Sequence, residues 1–144
     1  MRTLATFALA LLTACGGAEE ENPVPADEAE SSAAPAELDL ATLVSDIRTG
    51  VADLPARVAS DPAGARQTVV HLYVTRQEEI ERRWGPNGSE GRSPELAAAV
   101  EEAETRFHHL MEILAATPPA DSAAVAEAVA VLDAGQADVL AAAP

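Results

Sequence analysis

Residues 40–58 read LATLVSDIRTGVADLPARV, and their spacing decides the fold class. Leu40, Val44, Ile47, Val51, Leu54 and Val58 step alternately by four and three, the spacing that lays an apolar seam along one side of a helix. Pro55 interrupts the run. A proline removes a backbone donor and clashes with the preceding turn, so a kink or break is expected near Asp53 to Leu54.

The same pattern recurs downstream. Asp61-Pro62 is a cap followed by a proline suited to the first helical position, which starts a second helix predicted from Pro62 to Trp84. Val69, Tyr73, Ile80 and Trp84 share one face of it, and Val70, Leu72 and Val74 are expected to widen that face. The breaker-rich stretch from Gly85 to Arg92 ends it. Ser93-Pro94 repeats the start signal, and Leu96, Val100, Ala103, Phe107, Leu110, Met111 and Leu114 form the stripe of a third helix. Thr117-Pro118-Pro119 stops that helix. Asp121 or Ser122 opens a fourth, with Val125, Val129, Leu132, Gln136 and Val139 again at four-three spacing. Four amphipathic helices of similar length on short loops predict an all-α fold, an antiparallel up-down four-helix bundle over residues 37–144. Gln136 falls on a core stripe, where a buried amide needs a partner; Tyr73, Arg76 or a water would serve, as would a role in fixing register.

Upstream, Arg2 precedes an apolar run from Leu4 to Leu12, and Leu12-Thr13-Ala14-Cys15 places small residues before the only cysteine. This is signal-peptide patterning, too short for a spanning helix of about 20 apolar residues. The tetrapeptide resembles the lipobox of bacterial lipoproteins. That resemblance covers residues 1–17 and implies a signal peptide at 1–14 and a diacylglyceryl group on the Cys15 sulfur. It implies further acylation of the new amino terminus and anchorage to a membrane. Gly16, in place of an aspartate after the cysteine, implies the outer membrane, facing the periplasm, in a Gram-negative cell. Residues 15–36 carry Glu, Pro, Ala and Ser with Val24 as the one bulky apolar side chain. Such a segment cannot bury enough surface to offset backbone ordering of roughly 1–2 kcal/mol per residue, and it reads as a disordered acidic linker.

Composition narrows the function classes. The chain holds 9 basic and 24 acidic side chains and no lysine. Without Arg2 the remaining 8 basic groups leave a formal charge of −16. Nucleic acid is therefore excluded as a partner, and an anionic surface would repel the domain. No nucleophile–base signature, phosphate loop or cysteine metal motif occurs, so an enzyme is not expected. The expected role is a binding module with a protein partner in the cell envelope.

The alternative is a divalent-metal bundle. Glu101, Glu104, His108 and Glu112 form a strip along the flank of the third helix, and carboxylates with an imidazole at i, i+4 can share a metal. Counting 1.5 Å per residue back from the loop makes His71 level with Glu104 to His108 and Glu78 level with Glu101, while Glu81 lies too near the loop to meet Glu104. His71 and Glu78 nevertheless point away from Ile80, onto the polar face. Arg76-Gln77-Glu78-Glu79-Ile80-Glu81 is similar to the Arg-Glu-x-x-Glu motif of iron permeases, departing by the inserted Gln77 and by lying on an amphipathic helix. No haem ligation pattern is offered.

Overall fold

The computed structural model describes residues 38–90, 93–116 and 121–144. The expected signal peptide 1–14, Cys15, the linker 15–36 and the stop at Thr117-Pro118-Pro119 lie outside the described residues. Among the described residues every regular element is helical.

Helix starts follow the capping chemistry. The Asp39 carboxylate accepts from Thr42 N at 2.7 Å and opens α1, Leu40–Val51. Asp61 accepts from Gly64 N at 2.8 Å and opens α3, Pro62–Leu72. A π-helical stretch, Tyr73–Gln77, carries α3 into α4, Glu78–Trp84. Ser93 Oγ accepts from Leu96 N at 3.2 Å at the head of α5, Pro94–Ala115. Asp121 accepts from Ala124 N at 2.8 Å before α6, Ser122–Ala142. Each such cap satisfies one orphan donor, worth about 1 kcal/mol.

The break expected near Asp53 is present. Helix α1 stops at Val51, and a single-turn α2, Leu54–Arg57, resumes with Pro55 in its first turn. Burial runs through the break, since Val51, Leu54 and Val58 all stay in the core. The proline thus redirects the backbone without taking the seam out of the interior.

Helix α5 returns along α3 and α4. Arg66, near the start of α3, donates through Nε and Nη2 to the Leu114 carbonyl at 3.1 and 2.6 Å, and Trp84 shares a cleft with Pro94 and Ala97. The most extensive packing is between α5 and α6. Gly135 permits it: a Cβ there would stand 2.8 Å from Arg106 Cδ and 3.5 Å from Ala103 Cα. The core joins the α1 seam to Ala65, Val69, Leu72 and Ile80, to the α5 stripe including Phe107 and Leu110, and to Val125, Leu132 and Val139 of α6.

Two expectations change. Val70 and Val74 do not widen the apolar face; they are 47% and 53% exposed, because the inward arc is already filled by Val69, Leu72, Gln77 and Ile80. Gln136 is fully buried, as its stripe position implies, but its partner is Gln77 rather than Tyr73 or Arg76. The π turn explains the exchange. It rotates Gln77 inward and leaves Arg76 at the edge, where Nε donates to Asp46 of α1 at 2.7 Å.

Arg83 ties the ends together. Its side chain is buried, grips Glu90 with two bonds of 3.0 and 2.9 Å, and donates to the Leu38 carbonyl at 2.6 Å. Its guanidinium lies 4.2 Å from the Trp84 ring centre. One cation therefore fastens the α4–α5 loop to the chain leading into α1.

Candidate functional site

Tyr73, Gln77 and Glu81 follow one another at four-residue spacing, so the π turn and the start of α4 present them along one side of a continuous helix. Across from them on α5 stand Glu104, Phe107 and His108. The Tyr73 ring meets Phe107 edge-on at 5.5 Å between centroids and lies tilted over His108 at 5.1 Å. Its hydroxyl donates to Glu104 Oε1 at 3.5 Å. Local π-helical turns often accompany functional sites because they re-aim a side chain that regular α-helix would leave elsewhere. Here the re-aimed residue is Gln77. The Thr75 hydroxyl donates to the His71 carbonyl at 2.7 Å beside this turn.

Polar groups are poorly satisfied in this region. Gln136 Nε2 donates to Gln77 Oε1 at 2.9 Å, yet Gln77 Nε2, Gln136 Oε1 and Glu81 Oε1 are buried with no hydrogen-bond partner. Gln77 Nε2 faces the Glu81 carboxylate and favours its ionised form without reaching hydrogen-bond geometry. Burial works more strongly the other way and pushes the Glu81 carboxyl up; the negative charges of Glu104 and Glu78 add to this, while His108 opposes it. Tyr73 feels the same surroundings. Burial, followed by Glu81, Glu104 and Glu78, pushes its phenol up to about 12. The arrangement is built to hold protons: a carboxyl and a phenol both biased toward their neutral forms, with an unpaired amide beside them.

The residues proposed from the sequence as metal ligands are placed as follows. Glu104 and His108 flank Tyr73. His71 is exposed and lines a separate cleft with Arg57, Gly64, Gln67, Thr68 and Leu72, against α2. Glu101 and Glu112 are exposed on α5. Among the described residues, no group of three or more His, Cys, Asp or Glu side chains is arranged to hold a metal ion. In the stretch similar to the permease motif, Arg76 is held by Asp46, and Glu79 by Arg82 and Arg83.

Glu81 is a residue to which counting levels gave no part in this region. It couples electrostatically to Glu104 and His108 despite its position near the loop. Side chains on a helix lean toward its N-terminus, so on oppositely directed helices Glu81 leans away from the loop and Glu104 leans toward it. That lean shortens the separation that counting Cα levels implies. Gln77 also escaped notice, though its position four after Tyr73 and three before Ile80 marked it as a stripe residue.

A second feature lies at the loop end. Trp84, Gly85, Pro86, Asn87, Ser93 and Pro94 line a cleft of about 450 Å³. The Ser93 hydroxyl at its rim is already engaged: Oγ accepts from Leu96 N and itself donates to Glu95 at 2.7 Å. The chain matches no protein-family model, no curated protein and no solved structure.

Proposed function

We propose that the protein is a lipid-anchored module of the cell envelope whose acidic helical domain binds another envelope component. The single observation that carries this reading is Leu12-Thr13-Ala14-Cys15 directly after the apolar run Leu4 to Leu12. Diacylglyceryl transfer to Cys15 and acylation of its amine would hold the chain on a bilayer, since two or three acyl chains anchor far more firmly than one. The acidic stretch 16–36 would then act as a spacer spanning on the order of 25 Å. In a Gram-negative cell, Gly16 directs the chain to the outer membrane, facing the periplasm.

The domain itself is read as an antiparallel up-down four-helix bundle, with α1 and α2 forming the first, kinked member and α3 to α4 the second. The bond from Arg66 of α3 to Leu114 at the end of α5, and Trp84 of α4 beside Pro94 at its beginning, support that reading for the second and third members. Among the described residues no helix is long and apolar enough to cross a membrane. The acidic surface and the loop around Trp84 are the regions offered for contact, and a partner with a basic face suits a chain of this charge.

Fractionation of cells expressing the full chain and Cys15→Ala tests the anchor. The wild type is expected in the membrane fraction, with a mature N-terminal peptide whose mass includes acyl chains, and the variant in the soluble fraction. A Cys15→Ala chain found wholly with membranes, or a bare thiol on the mature N-terminus, overturns the reading.

A further inference from the structure

We propose that Tyr73, Glu81, Glu104 and His108 form a proton-operated latch on the seam between α4 and α5, which tightens when Glu81 takes up a proton and loosens when it releases it. This goes beyond the envelope-anchored reading and does not depend on it. The geometry carries it. Glu81 Oε1 is buried and without a hydrogen-bond partner, a costly position for an ionised oxygen. The charged and titratable groups that act on it are Glu104 and His108 on α5 and Tyr73 and Glu78 on its own helix, with the Gln77 amide beside them. Two carboxylates set against each other in a partly desolvated seam cannot both ionise without repulsion. A proton from solvent that forms an O–H bond on Glu81 removes one negative charge from the seam. It also gives the unpaired oxygen a proton to donate, on a seam where the Tyr73 hydroxyl already donates to Glu104. The Gln77 amide and, after it, His108 pull the other way, because both favour ionised Glu81. The burial that lifts the Glu81 carboxyl above its ordinary value of 4.5 supports the same direction.

The sign follows from linkage. A carboxyl whose folded value is raised binds more protons in the folded state, so its contribution is fully present below the ordinary value and is lost as pH rises through the folded one. The latch is closed below about pH 4.5 and loosens as pH rises through the raised folded value.

Thermal melts of the full chain between pH 4.5 and 8 test this, with Glu81→Gln as an isosteric stand-in for the protonated side chain. Exposed Glu101→Gln serves as a control that removes the same charge. The wild-type melting temperature is expected to fall as pH rises above about 4.5. Glu81→Gln should at least halve that fall and melt above wild type at pH 7.5, while Glu101→Gln runs parallel to wild type. A Glu81→Gln profile parallel to wild type, or an equal flattening by Glu101→Gln, overturns the latch, because either outcome assigns the dependence to net charge alone. Should Glu81→Gln fold poorly, side-chain carbonyl NMR of the wild type decides: Glu81 titrating above Glu101 supports the latch, and Glu81 titrating with or below it refutes it.

Discussion

Gln136 Nε2 donates to Gln77 Oε1 at 2.9 Å with both side chains fully buried, so the polar contact at the centre of this helical core joins α6 to the π turn. Each amide keeps one buried atom unpaired. The pair therefore holds its two helices in one register at some cost in stability, the behaviour of polar residues at core positions of bundles.

Replacing one partner should be worse than replacing both. Gln136→Leu leaves the buried Gln77 Oε1 without its donor and is expected to cost about 1–3 kcal/mol. The double replacement Gln77→Leu, Gln136→Leu should come out near neutral or stabilising. Urea unfolding of the two single variants and the double variant checks this as a double-mutant cycle. Additive losses in the double variant would show that the amides do not act as a pair.

Arg83→Met keeps much of the apolar stem and removes the cation. It withdraws a buried guanidinium from Glu90, the Leu38 carbonyl and the Trp84 ring together. Because Glu90 is 44% exposed and recovers solvation, the loss should fall below that of a fully buried pair, at roughly 2–3 kcal/mol. Trp84 fluorescence should shift with it, and unchanged emission together with unchanged stability would contradict the fastening role.

Phe107 and Gly135 probe the packing of α5. Phe107→Ala empties a fully buried site and should cost about 3–5 kcal/mol, a large share of the stability of a small domain. Gly135→Val forces a side chain against Arg106 and Ala103 and should cost about 1–3 kcal/mol through overpacking. Calorimetric melts measure both, and a neutral Gly135→Val would mean that α6 can move away from α5 without loss.

Tyr73 is the only tyrosine, so its ionisation can be followed at 295 nm without interference from another phenol. It should titrate near 12, and Glu104→Gln should move it back toward 10. A phenol raised in the folded state holds its proton better there, so its stabilising share is intact below pH 10 and disappears as pH rises toward 12. Titration near 10 in the folded protein would place Tyr73 in a more open setting.

Excess Zn, Ni, Mn, Cu or Fe is expected to leave the melting temperature unchanged, since only Glu104 and His108 of the five residues first considered flank Tyr73. A rise that disappears in His108→Ala would restore metal binding, because a ligand that binds only the folded state stabilises by mass action.

The helical class, the break before Pro55, the Asp61 and Ser93 caps and most of the core stripes were readable from residue order, because periodicity and capping are local and repeat every turn. The acidic balance and the Cys15 tetrapeptide are likewise properties of the chain itself. What lay beyond local rules was how one helix side meets another. Nothing in the spacing announces a π turn, so the inward rotation of Gln77, its bond to Gln136 and the outward displacement of Arg76 needed the packed molecule. The influence of Glu104 on Glu81 was hidden for a similar reason: it depends on side-chain lean between neighbouring helices, which packing sets rather than position along the chain.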